Sequence, residues 1–124
     1  MDTDILVKQG SALTERLDAT KAVPRAVMWV HNPDAGIWRL WIVPPAELTD
    51  KREFYRIMAE TISQYSDEMH GLDVGSIEMV PAEHPAMQGL GAFIRMPGIG
   101  SAHFSGNRFN DFYLPDGLVI RMNI

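Results

Sequence analysis

The 124 residues contain no cysteine. That excludes disulfides, thiolate metal ligands, iron–sulfur clusters and a cysteine nucleophile. Positive charge is scarce as well: Lys+Arg number 11 against 16 Asp+Glu, a formal net charge of −5 with His neutral. The shortfall lies mainly in the second half of the chain, and no lysine follows Lys51. A duplex nucleic-acid binder needs a basic stripe, because phosphate contacts and counterion release supply most of its affinity, so nucleic acid is not an expected partner. No run approaches the roughly 18–20 apolar residues that span a bilayer, and no membrane partner is expected. Met1-Asp2-Thr3-Asp4 is acidic where a signal peptide carries basic residues, so the expected location is cytoplasmic.

What is present is ordinary globular material. The apolar fraction of 46 % lies within the usual range of about 45–50 %, and the length suits one domain over residues 1–124. Residues 3–21 read as a helix with Ile5, Leu6, Leu13 and Leu17 near one stripe. Gly10 and Ser11 threaten to split it, and Pro24 bars its continuation. A helix packed on the core is the plain reading of residues 1–23; an arm exchanged between subunits is the alternative.

Arg25–His31 and Ile37–Val43 are rich in β-branched and aromatic residues and flank Asn32-Pro33-Asp34-Ala35-Gly36, a hairpin signature. Both strands are apolar on both faces, which argues for a central position. With His31 opposite Ile37, Trp29 would face Arg39 and Val27 would face Trp41, laying the guanidinium against two indoles as a cation–π contact. Asp50 with Glu53 has capping-box spacing and opens a helix to about Tyr65, with Phe54, Ile57, Met58, Ile62 and Tyr65 inward. Such a helix can serve as a crossover that sets the next strand, Val74–Pro81, parallel to its neighbour. His84-Pro85 starts a short helix with Met87, Leu90 and Phe93 inward. Pro97–Gly100 reads as a turn. Phe109–Leu114, the turn Pro115-Asp116-Gly117 and Leu118–Ile124 close the chain. The sum is an α+β fold: a mostly antiparallel sheet of five or six strands, with two main helices and one short helix on one face.

Chemistry-bearing patterns are sparse. The histidines His31, His70, His84 and His103 form no metal-ligand spacing, so no metal is expected. No cofactor is expected either, because Gly89-Leu90-Gly91 lacks the third glycine and preceding strand of a dinucleotide fingerprint. Ser101, His103 and Ser105 would share one strand face, and Asn107 continues it. No acid partner is identifiable there. Asp111 and Asp116 flank a hairpin as candidate paired carboxylates for glycoside chemistry, but Asp116 is explained by the Pro-Asp-Gly turn. The aromatic residues cluster instead. Trp38 must point away from Trp41, and Trp41, with Trp29 and Arg39 in that register, would form a surface that needs a cover: a subunit interface, a partner, or the C-terminal strands of the same chain.

Trp38-Arg39-Leu40, Phe54-Tyr55-Arg56-Ile57 and the run Asn110–Gly117 resemble a loosely defined group of small uncharacterised bacterial proteins. The resemblance spans roughly residues 25–124; it implies the α+β fold and a bacterial or phage origin, and carries over no catalytic residue. The expected function is therefore a non-enzymatic interaction module that uses its aromatic sheet face for self-association or partner binding. The binding candidates are Trp29, His31, Arg39, Trp41, His103 and Asn107. The alternative is a small hydrolase or transferase around His103, Ser101 and Ser105; a third reading places a small molecule or peptide on the Trp29/Arg39/Trp41 face.

Overall fold

Local chemistry sets the helices as the sequence predicts. In the computed structural model, which describes residues 3–109 and 112–124, the Asp50 carboxylate accepts the Arg52 N–H at 2.9 Å and opens helix α2, Lys51–Gln64. Phe54, Ile57, Met58 and Thr61 form its buried face. Helix α1, Thr3–Leu17, runs unbroken through Gly10, contrary to the expected split. The reason is packing: a Cβ on Gly10 would stand 2.8 Å from Ile120 Cγ1 and 3.3 Å from the Trp29 indole nitrogen. The missing side chain lets α1 settle onto the sheet. There Leu6, Leu13 and Leu17 are buried within the same chain.

Strands β1 (Ala26–Asn32), β2 (Ile37–Val43), β3 (Ile77–Met79), β4 (Ala102–Phe109) and β5 (Phe112–Met122) form one sheet in the order β3-β2-β1-β5-β4. All neighbours are antiparallel except β2 and β3, which the α2 crossover makes parallel. The fold is thus the expected α+β, with three α-helices on a five-stranded sheet among the described residues. One detail of the expectation changes. Helix α3, Pro85–Phe93, packs on the face opposite to α1 and α2. Because β1 and β2 carry apolar residues on both sides, each face requires a cover. Val27, Trp29, Leu40 and Ile42 lie under α1 and α2, whereas Met28, Trp41 and Val43 belong to the α3 side. Phe93, expected inward, stands 82 % exposed at the end of α3, and Ile94 packs inward in its place.

The hairpin register is one residue from the expected one. Asn32 joins the ladder opposite Ile37, so Val30 faces Arg39, Trp29 faces Leu40 and Met28 faces Trp41. The turn closes on Asn32: its side-chain oxygen accepts the N–H groups of Asp34 and Ala35 at 3.0 and 3.3 Å, and its carbonyl accepts the Gly36 N–H at 2.8 Å. Gly36 supplies the positive φ of 67° that this closure requires. A one-residue shift moves every side chain to the other face. Trp29 and Arg39 consequently lie on opposite sides of the sheet.

The C-terminal hairpin also differs. β5 continues straight through Pro115-Asp116-Gly117, which is not a turn; β4 ends at Phe109 and β5 begins at Phe112. Opposite β1, the register of β5 shifts between Val27 and Met28, absorbing one additional residue. Among the described residues, no helix is long and apolar enough to cross a membrane.

Candidate functional site

α3 is only nine residues long, about 14 Å at 1.5 Å per residue, and it covers only part of its sheet face. Beyond it, toward the β1–β2 turn, a groove of about 370 Å³ remains open. Strand periodicity builds its floor. Arg39 and Trp41 alternate onto one side of β2, Val30 faces Arg39 from β1, and Glu78 enters from β3 opposite Trp41. β5 adds Phe112, Tyr113 and the buried Leu114.

Arg39 makes no cation–π contact with either indole, correcting the expectation that followed from the shifted register. The cation–π contacts among the described residues are Arg16 over Tyr65 at 4.0 Å and Arg108 over Tyr113 at 5.8 Å. Arg39 Nη1 instead donates to the Gly75 carbonyl at 3.0 Å, and Nη2 lies 3.5 Å from the Glu78 carboxylate. That second distance is at the limit of a hydrogen bond, so the pair is loosely joined. The side chains are 36 % and 47 % exposed. Both retain hydrogen-bonding capacity toward the groove.

His84 closes the α3 end of this region. Its ring packs edge-on against Trp41 at 5.1 Å and Phe112 at 4.6 Å, while Nδ1 accepts the Ala86 N–H at 3.1 Å as the N-cap of α3. That bond requires an unprotonated Nδ1. Partial burial pushes the imidazole below the ordinary histidine value, and the Glu78 carboxylate pulls it back up. The fold thus favours the neutral ring. Its contribution is complete above the unfolded value of about 6.5 and declines as pH falls below it. Between pH 7.5 and 5 the wild type should lose urea stability relative to His84→Asn, which caps without titrating; parallel profiles would refute this. At pH 7.5, His84→Ala should cost about 1 kcal/mol, the usual effect of a lost cap.

The other sequence candidates are dispersed. Trp29 is 2 % exposed beneath α1, with its indole N–H donating to the Leu6 carbonyl at 2.7 Å; it is part of the core and not of a surface shared with Arg39. Trp41 is 9 % exposed and forms the groove floor. His31 packs against Trp38, ring centroids 4.8 Å apart, and also lines the turn end of the groove. Register brings Asp116 opposite both His31 and Ser105, and His103 Nε2 meets Asp116 Oδ1 at 3.0 Å. Asp116 is therefore the acid partner that the sequence hid inside an apparent turn. His103 and Ser105 are exposed on β4, an edge strand. The side chain of Asn107, and Asp111 altogether, lie outside the described residues. Among the described residues, no three His, Asp or Glu side chains converge as metal ligands.

A second cavity, about 480 Å³, lies on the α1 side beside Trp38. Its polar walls are already engaged: Asp73 accepts the Gly75 N–H at 3.0 Å, and Gln9 donates to the His70 carbonyl at 3.0 Å. Arg39 lines both cavities; the groove differs in having the apolar, buried Val30, Trp41 and Leu114 beneath it, and it is the better candidate. Compared with known proteins, the chain matches no family model, no curated protein and no solved structure.

Proposed function

We propose that the chain is a non-enzymatic interaction module that holds a segment of a partner protein in the groove over Val30, Arg39 and Trp41. The supporting observation is the shortness of α3, which leaves part of an apolar sheet face open beside a loosely joined ion pair. Trp, Tyr and Arg are the usual anchors of protein interfaces. Trp41, Tyr113 and Arg39 all line this groove. The hydrolase or transferase reading around Ser101, His103 and Ser105 gains an acid in Asp116 but needs a cleft. The groove, the Trp38 cavity and two further concavities of about 440 and 210 Å³ are lined by other residues, and His103 and Ser105 stand exposed on the edge strand β4.

The test is selection of peptides from a random displayed library on the immobilised full chain. Binding should fall about tenfold or more in Arg39→Ala, as expected for loss of a charged hydrogen-bonding group. Selected peptides that bind wild type and Arg39→Ala equally would overturn the reading. Light scattering of the unliganded chain decides whether a second copy is itself the partner.

A further inference from the structure

We infer that the concavity of about 440 Å³ at the end of the β1–β2 hairpin away from its turn binds a small organic anion, a carboxylate carried on an apolar body. The inference is independent of the groove, with which this concavity shares no lining residue. Its volume lies within the roughly 300–1,000 Å³ of small-molecule sites. Topology accounts for its position. β2 and β3 are parallel, and the residues that line the concavity lie at or just beyond their C-terminal ends, Val43 and Met79. Where a helical crossover joins parallel strands, the crevice outside their carboxyl ends is the usual place for a ligand. The link from β2 into α2 lines it with Pro44, Pro45 and Leu48, and the segment after β3 adds Pro81 and Ala82. Leu48 and Ala82 are buried, so an apolar body has apolar surface to meet.

Charge sets the sign of the ligand. Arg25 and Lys51 line this concavity against the single carboxylate of Glu83. The groove, the Trp38 cavity and the concavity of about 210 Å³ each carry at least as many carboxylates as cations. A positive surplus is therefore unusual in a chain of net charge −5. Arg25 is also held in place. Its backbone N–H donates to the Val43 carbonyl at 2.8 Å, and its Nε donates to the Pro44 carbonyl at 2.7 Å. Arg16, Arg39, Arg56 and Arg121 each meet a carboxylate, whereas Arg25 meets none among the described residues. Its two Nη groups keep their donors, and together they match the two oxygens of a carboxylate. Lys51, the first residue of α2, adds a second cation without an ion pair among the described residues. The adjoining small concavity, which shares Leu48 and Thr49, holds Glu47, Asp50 and Glu53. Glu53 is paired with Lys21, and Asp50 caps α2. These neighbours, with Glu83, favour a single negative charge over the two of a phosphate.

Isotope-labelled full-length chain is titrated, with NMR detection, against phenylacetate and hexanoate, against the amides of both acids, and against acetate and inorganic phosphate. The two carboxylates should shift the Arg25 Nε–H, Lys51 amide and Met79 methyl signals saturably, with the amides about tenfold or more weaker. Arg25→Gln and Lys51→Gln should each weaken carboxylate binding about fivefold, and Glu83→Gln should strengthen it. Lys51 is exposed, so its variant folds and keeps the test decisive even where Arg25→Gln does not. Carboxylates that leave these signals unmoved, or amides that bind as well as the acids, overturn the inference. Acetate or phosphate binding as strongly as phenylacetate and hexanoate would mean an adventitious ion only, and overturns it too.

Discussion

Gly117→Ala should destabilise the protein by about 3 kcal/mol, the upper part of the usual overpacking range, and lower Tm by roughly 10 °C. In β5, Gly117 faces Val30 on one side and Phe104 on the other. A Cβ there would stand 2.1 Å from Phe104 Cζ and 2.6 Å from the Trp29 carbonyl oxygen. The ring can swing aside only by leaving its buried place, and the carbonyl belongs to a central strand. Gly98→Ala is the control: no atom lies within 4 Å of the added carbon, so its effect should stay within about 0.5 kcal/mol. Phe104→Ala separates the strand contact from mere turn strain. Removing the ring should recover part of the Gly117→Ala loss in a double-mutant cycle, whereas a glycine needed only for a turn would show no coupling. Additive effects would therefore place residues 115–117 back in a turn.

That glycine also shows where sequence reasoning reached its limit. Pro-Asp-Gly is turn chemistry in most contexts, but here Phe104 and the β1 backbone claim the space above Gly117, and tertiary contact overrides local preference. The same override conceals Asp116, whose role appears only once β4 and β1 lie on either side of it. Features fixed within a few residues were legible: the Asp50 cap, the α2 stripe, the Pro at the start of α3 and the parallel crossover into β3. The pairing of Arg39 with Trp41 on one face was legible too, because it needs only the two-residue period of a strand. Trp29 was assigned to the wrong face, because register hangs on whether Asn32 belongs to the turn or to the ladder. Glu78 reads only as the outward residue of a short strand and Phe112 only as one more aromatic; nothing local ties either to Arg39. They reach the groove through strand order, to which loops distant in sequence contribute as much as the strands.

The second large effect is expected at the seam between α1 and β5. Arg121, buried on β5, donates Nη1 to Asp18 Oδ1 at 2.7 Å and Nη2 to Oδ2 at 2.9 Å; Nη1 also reaches the Pro24 carbonyl at 3.3 Å. Asp18 directly follows α1, so this bidentate pair fastens the C-terminal end of the helix to the sheet. Removing one member of a buried pair strands the other, at a cost of about 3–5 kcal/mol. The Asp18 side chain is 34 % exposed, which reduces the expected loss for Asp18→Ala to about 3 kcal/mol. Arg121→Met should cost less, about 1 kcal/mol, because the carboxylate left behind can turn to water and the thioether chain fills much the same space. It also removes Arg121 Nε, a buried donor without a hydrogen-bond partner among the described residues. The double variant should then resemble Arg121→Met and be more stable than Asp18→Ala alone, since the stranded cation is gone. Urea midpoints of the four proteins decide the matter. Additive losses, or Arg121→Met as the weakest single variant, would mean that the guanidinium acts through packing and not as the charge that Asp18 neutralises.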